Sequence, residues 1–294
     1  MSSGSRPEVN SKLIDGTALA TRIRQAAAGR IRLIREQTGV TPTLATVIVG
    51  DDPASHTYVR MKRTRCEDAG MRSVNLELPD TATTAEIVAR IATLARDQAV
   101  HGILVQHPVP RPIDRRAVFE AIPIAKDVDG VTAGTLGRVI LGMEAFIPCT
   151  PRGIMALLEE YRVDLDEAHA VVIGRSPILG RPMASLLINR HTTVTLCHSR
   201  TRDLPTIVRH ADILIAALGK PKFVQGDWIK PGAVVIDAGY NPGDSGIIGD
   251  VDFDEALEPC SLITPVPGGV GPMTIAMLID QTTQAAATQL GVEL

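Results

Sequence analysis

The stretch "AVVIGRSPILGRPMASLLINR", residues 170–190, decides how the rest of the chain is read. Residues 170–174 form an apolar, β-branched run, as a buried strand requires. "RSPILGR" reads as a turn and "PMASLLINR" as a helix. Strand, glycine turn and helix in that order open a dinucleotide-binding βα unit. Gly174 permits the tight turn, and Gly180 permits close approach to the next element. The helix amino terminus near Pro182 offers free N–H groups and a positive dipole end to a pyrophosphate. The spacing is GxSxxxG rather than GxGxxG, so the general fingerprint is matched only in part, and a plain structural β–α turn is the competing reading.

The next strand end bears on the choice of nucleotide. A carboxylate there usually holds the ribose 2′-hydroxyl of NAD. Here the residues are Cys197, His198, Ser199 and Arg200, with no acid. Arg175 sits in the glycine turn itself. Two guanidinium groups and a hydroxyl suit a 2′-phosphate, which favours NADP. The competing reading makes both arginines solvated surface residues.

Further out, apolar runs alternate with helical patterns over nearly the whole chain. Strands are expected at 44–50, 73–78 and 102–106, and helices at 12–36, 54–70, 83–97 and 114–122. After a glycine-rich stretch without periodicity, "DVDGVTAGTLG", the sequence "IPCTPRG" places Thr150 as an N-cap and Pro151 at the first helical position. A domain boundary is set near Cys149. Beyond it, strands are expected at 170–174, 192–198, 211–218, 233–239 and 261–266, with a last helix from Pro272 to Leu290. This alternation implies mostly parallel sheets with helices on both faces.

Composition narrows the classes. The chain has 294 residues, 45% hydrophobic, with net charge −3. That is enough for one large or two medium domains. Nothing in it calls for nucleic acid or a membrane surface. "MSSGSRPEVNSK" lacks the apolar core of a signal peptide and reads as a frayed tail. Cys66, Cys149, Cys197 and Cys260 are scattered, without a CxxC pair or a His-Cys cluster. Reduced thiols, a cytoplasmic location and no metal site are expected.

Four segments carry candidate chemistry. In "ASHTYVRMKRTRCEDAG" (54–70), Tyr58, Lys62, Arg65 and Ala69 share one helix face after a strand. A surface lysine packed on a ring is the ordinary reading of such a pair. In "LVQHPVP", Gln106 projects from a strand's carboxyl end, where open α/β sheets bind ligands. "KDVDG" holds Lys126, Asp127, Asp129 and Gly130 in a loop that also reads as a capped turn. "TPVPGGVGPMT" (264–274) packs three prolines and three glycines into eleven residues. Such a loop is stiff and lets a ligand approach its backbone.

Taken together, "TYVRMK", "GILVQHPVP", "KDVDG", "PCTPRG", "VVIGRSPILGRPM", "CHSRT" and "TPVPGGVGPMT" closely resemble the bifunctional methylenetetrahydrofolate dehydrogenase/cyclohydrolase family, in order and spacing from about Leu13 to Leu290. The resemblance implies an α/β fold in two domains. These are an N-terminal catalytic domain (1–148) and a Rossmann-type doubly wound parallel sheet (149–271), with the active-site cleft between them. The C-terminal helix (272–294) packs back on the first domain. It implies NADP-dependent oxidation of 5,10-methylenetetrahydrofolate and hydrolysis of the methenyl product to 10-formyltetrahydrofolate, in a homodimer. Lys62 is then the principal catalytic residue, assisted by Tyr58 and tuned by Gln106. Asp129 holds the pterin, and Pro267, Gly268 and Gly269 close over the folate. Gly174, Arg175 and Ser176 cradle the cofactor phosphates, Ser199 lies near the adenosine ribose, and Tyr240 contacts the nicotinamide. A largely apolar cleft and cations such as Arg65 would lower the Lys62 pKa, so that the amine can act as a base.

Departures from the family pattern also raise expectations. His107 replaces a leucine beside Gln106, Thr135 stands where an asparagine aligns, Tyr240 replaces an aliphatic residue, and Pro177 replaces a polar one. With an ordinary pKa near 6.5, His107 would make the ratio of the two activities vary with pH between about 5.5 and 7.5. Alternatively, it points away and serves the loop. Other classes are a dehydrogenase without hydrolase activity, an amino-acid or shikimate-type dehydrogenase, and a nucleotide-binding regulator. The last two leave "PGGVGPMT" or the Tyr58, Lys62, Gln106, Asp129 set unexplained.

Overall fold

Strand β1 (Thr43–Val49, TLATVIV) is buried at all seven residues. Only a central strand covered on both faces tolerates so continuous an apolar run. Its neighbours are β2 (Arg72–Leu78) and β3 (Gly102–Val105), in the order β2-β1-β3, all parallel. Val47 pairs with Leu76 on one side and Val105 on the other. The structure, a computed structural model, describes residues 11–243 and 246–294, without the side chains of 53–55. Most of the amino-terminal segment read as a tail, residues 1–10, lies outside the described residues.

The chain forms two units. Among the described residues, one holds 21–138, 144–149 and 275–294; the other holds 11–20, 139–143, 150–243 and 246–274. The first, called the lysine unit below, contains β1–β3 with helices α2 (Pro53–Asp68), α3 (Thr84–Arg96) and α4 (Arg115–Glu120). It also takes the larger part of α1 (Gly16–Thr38) and of α5 (Ala133–Ile140). Ile31, Ile34, Leu44, Ile48, Ile87, Ile91 and Ile103 are fully enclosed in it. Each stabilises the fold by about 1.5–3 kcal/mol relative to exposure. Helix α3 begins with a reciprocal capping box between Thr83 and Glu86, which satisfies two otherwise orphaned N–H groups.

The second, glycine-turn unit is a five-stranded parallel sheet in the order β10-β7-β6-β4-β5. Its strands are β4 (His169–Ile173), β5 (Thr193–Cys197), β6 (Ile213–Ala216), β7 (Val234–Asp237) and β10 (Leu262–Ile263). It includes most of α6 (Cys149–Glu160), with α7 (Gly180–Ile188), α8 (Leu204–Val208), α9 (Phe253–Ala256) and the short antiparallel pair β8 (Asn241–Gly243) and β9 (Gly246–Ile248). From β4 the chain moves outward to β5, then returns past β4 to β6. The loops after β4 and β6 thus leave in opposite directions, which marks a topological switch point. The last helix, α10 (Val270–Leu290), begins in this unit and runs on into residues of the lysine unit.

Several expected features shift. "VTAGTLG" contains the start of α5, although it reads as aperiodic: Thr132 caps the helix by accepting the Thr135 N–H, and Glu120 accepts the Ala133 N–H. Helix α6 starts at Cys149, so Thr150 lies inside it rather than capping it. On α2 the buried residues among those described are Val59, Lys62 and Cys66, with Ala69 buried just beyond its end, while Arg65 is exposed and pairs with Asp68 at 3.4 Å. Among the described residues no helix is long and apolar enough to cross a membrane.

Candidate active site

Lys62 is only 9% exposed. Its Nζ donates to Gln106 Oε1 at 2.9 Å and lies 5.9 Å from the centre of the Tyr58 ring. Helix periodicity brings the tyrosine and lysine together, one turn apart on α2. Gln106 is placed by the sheet: its N–H donates to Val47 O at 2.9 Å, continuing the ladder one residue past β3. Its side-chain Nε2 donates to the His107 carbonyl at 2.6 Å, which leaves Oε1 aimed at the lysine.

Burial pulls the Lys62 ammonium below its usual pKa, against the opposing pull of Asp129, Cys149 and Cys66. Arg65 is not among the causes, so burial alone does what the sequence reading shared with a neighbouring cation. Burial likewise raises the Asp129 carboxyl, while Lys62 and hydrogen bonds from Cys149 draw it down. Both groups are therefore pushed towards neutrality by the same desolvation. Burial also pushes the Cys66 thiol up to about 12, which keeps it protonated beside the lysine.

Asp129 is positioned by a turn stapled from within. Asp127 Oδ1 accepts the Val131 N–H at 3.0 Å, and its Oδ2 accepts the Thr132 N–H at 2.9 Å. Gly130 has φ +64°, and a Cβ there would meet Phe146 O and Pro148 N at 2.6 Å. Gln281 on α10 completes the frame. Its Nε2 donates to Val128 O at 2.7 Å and to Ile147 O at 2.9 Å, and its Oε1 accepts the Ile147 N–H. Cys149 and Gln281 escaped the sequence reading. The available signal was the polar run Asp280, Gln281, Thr282, Thr283, all buried, within an otherwise apolar helix.

His107 differs from the main expectation. Its ring stacks edge-on against Phe119 with centroids 4.9 Å apart. Burial, then Arg115 and Lys62, lower its pKa to about 4. It is neutral throughout the window in which the sequence reading had it titrate.

In the glycine-turn unit the expected cofactor residues emerge along one edge of the sheet, since all five strands run parallel. Gly174 (φ +127°) leaves β4, and its N–H donates to Cys197 O at 2.9 Å. That bond sets the turn at 174–179 beside the turn at 198–201 after β5. A Cβ on Gly180 would lie 1.9 Å from Gly174 O, so the turn closes only with glycine at both ends. Ser176 Oγ accepts the Leu179 N–H at 3.1 Å. Leu179 itself gives α7 no side-chain cap. Arg175, Ser176, Ser199 and Arg200 are exposed on these adjacent turns. Tyr240 follows β7 and is 47% exposed. Pro267, Gly268 and Gly269 follow β10, and the Gly268 carbonyl accepts the Thr17 N–H at 3.0 Å. A helix start without a side-chain cap, guanidinium groups and the absence of a carboxylate after β5 fit a phosphorylated dinucleotide. Among the described residues no cluster of His, Cys, Asp and Glu forms a metal site.

A doubly wound sheet with such a turn, together with a second α/β unit built around a buried lysine, defines a nicotinamide-nucleotide oxidoreductase of two domains. The tetrahydrofolate dehydrogenase/cyclohydrolase catalytic domain matches residues 14–129, and the NAD(P)-binding domain of the same family matches residues 148–290. The chain belongs to this family. It is 58% identical over 282 residues to the bifunctional protein FolD 1 of Streptomyces avermitilis, covering 96% of this chain and 97% of that one. The crystal structure of the bifunctional FolD enzyme from Campylobacter jejuni superposes with a TM-score of 0.92 at 45% identity, covering 94% and 98% of the two chains. The Trypanosoma brucei enzyme, solved with NADP and an inhibitor, gives 0.90 at 38% identity, covering 94% and 97%.

Proposed function

We propose that the protein oxidises 5,10-methylenetetrahydrofolate to the methenyl cation with NADP and hydrolyses that cation to 10-formyltetrahydrofolate. The observation that carries this reading is the buried Lys62–Gln106 hydrogen bond under the Tyr58 ring, in a chain that matches both domains of the family. NADP, when bound, accepts the hydride. Everything else falls to side chains. The Tyr58 ring offers a flat face to the folate, and its hydroxyl can join the proton network. The Asp129 carboxyl, framed by Cys149 and Gln281, meets the polar edge of the pterin.

Hydrolysis adds water to the methenyl carbon and releases one proton. A lysine takes that proton only when neutral, and burial favours the neutral amine. Gln106 Oε1 holds one Lys62 N–H, which directs the amine's lone pair away from the glutamine. The same desolvation weakens any repulsion between Lys62 and the cationic substrate. Arg175, Ser176 and Ser199 are the residues toward the cofactor's phosphates and ribose, Tyr240 the residue toward its nicotinamide, and Pro267–Gly269 the loop toward the folate. The protein acts as a homodimer in the cytoplasm, with no nucleic-acid or membrane partner.

One assay tests the reading. The protein is given methylenetetrahydrofolate and NADP, and NADPH and methenyl absorbance are followed separately. Growth of NADPH with little methenyl accumulation is expected. Methenyl that accumulates mole for mole with NADPH would remove the hydrolase half. No NADPH would remove both.

A further inference from the structure

Asp250 lies just beyond β9, fully buried, in "IIGDVDF". Its carboxylate is saturated by four donors. Oδ2 accepts the N–H groups of Leu218 at 2.5 Å and Gly219 at 2.9 Å, and Oδ1 accepts the Lys220 N–H and an Asn241 Nδ2–H, both at 2.9 Å. Three consecutive backbone N–H groups converge on one side chain only because Gly219 takes a left-handed φ of +68°. Asp250 is in turn anchored by a second buried aspartate at the end of β7. Asp237 Oδ1 accepts the N–H groups of Gly239 and Asp250, and its Oδ2 accepts the Val251 N–H. No side chain larger than hydrogen fits between the two: a Cβ on Gly249 would lie 2.0 Å from Asp237 Oδ2.

The loop thus held, Ala217–Lys220, follows β6. It forms the second wall of the crevice at the switch point, opposite the glycine turn after β4. The contact between the walls is direct: a Cβ on Gly174 would lie 2.1 Å from Ala217 O. In doubly wound sheets the dinucleotide crosses this crevice. A loop free to move there would have to be ordered at each binding event, at a cost in affinity.

We propose that Asp250, anchored by Asp237, is a positioning residue for nucleotide binding: its carboxylate fixes Ala217–Lys220 as the preformed wall facing the glycine turn. The proposal rests on the NADP assignment above. It differs from a merely structural role in predicting a change local to this loop and selective for the nucleotide. Asp250→Asn keeps the side-chain volume but sets an amide N–H against the backbone N–H groups.

Amide hydrogen exchange on the apoprotein should show Leu218, Gly219 and Lys220 exchanging faster in Asp250→Asn, with the β4 amides at wild-type rates. The dissociation constant for NADPH, titrated by fluorescence, should rise at least about tenfold, the lower range for a charge-assisted hydrogen bond. Gly219→Ala is the second variant, needed if Asp250→Asn does not fold. Its Cβ meets nothing within 4 Å, but it disfavours the left-handed turn, so NADPH should again bind several-fold more weakly. Unchanged exchange at 218–220 in Asp250→Asn would overturn the proposal. So would faster exchange with NADPH affinity within twofold of wild type, or wild-type affinity in Gly219→Ala. A wild-type protein that binds no NADPH would instead refute the NADP assignment.

Discussion

Lys62 is the residue on which the proposed chemistry turns. Lys62→Met should reduce methenyl hydrolysis by at least about 100-fold, the usual loss when a general base is removed. NADPH binding, measured by fluorescence titration, should be retained. A hydrolysis rate above a tenth of wild type would take Lys62 out of the central role. His107 makes the opposite kind of prediction. Its pKa in the fold is about 4, below its ordinary value, so the folded state prefers the neutral ring. Its contribution is complete above about pH 6.5 and is lost as pH falls towards 4, on the order of 3 kcal/mol in all. His107→Leu should therefore leave the ratio of the two activities unchanged between about pH 5.5 and 7.5. It should lose less thermal stability than wild type between pH 7 and pH 4.5. A flattened pH–rate profile in the mutant would count against this account. Tyr58, Lys62, Gln106 and Asp129 could be singled out as candidates because each sits in a short local motif, and the structure places the Lys62 amine against Gln106 and the Tyr58 ring. The state of His107 was not. It depends on Phe119 and Arg115, which no window around "VQHPVP" contains.

Secondary-structure elements were legible where apolar spacing is regular, and hidden where capping rather than periodicity specifies them. Strands β1 to β7 and the long helices match their apolar runs to within a few residues. Helix α5 was missed because two glycines interrupt "AGTLGRVI", each costing about 1 kcal/mol against alanine. Its start is paid for by side-chain acceptors on Thr132 and Glu120, of which the second is thirteen residues away. Gly137 lies in that helix, and a Cβ there would meet nothing within 4 Å. Gly137→Ala should thus raise stability by about 0.5–1 kcal/mol, read as a higher thermal midpoint with both activities retained. A lowered midpoint would mean that the helix interior needs glycine for a reason that its geometry does not show. The hairpin of β8 and β9 was hidden for another reason. Its strands are three residues each, too short for alternation to register.

At the scale of the molecule, two α/β units divide the work, and the nucleotide choice belongs to one of them. Arg175→Ala should raise the KM for NADP about 10- to 150-fold more than the KM for NAD, the range of one charge-assisted contact to a phosphate. Equal losses with both nucleotides would show that Arg175 does not read the 2′-phosphate. The chain passes between the units at 20/21, 138/139, 143/144, 149/150 and 274/275, so neither is a contiguous stretch of polypeptide. Protein synthesis runs in one direction, and domains tend to fold as they emerge. Residues 150–274 can begin to settle as soon as they clear the ribosome. The lysine unit cannot be finished then, although its Lys62 was made early, because Gln281 and the rest of 275–294 have still to be translated. Until they arrive, the turn that carries Asp129 lacks the glutamine amide that ties Val128 to Ile147.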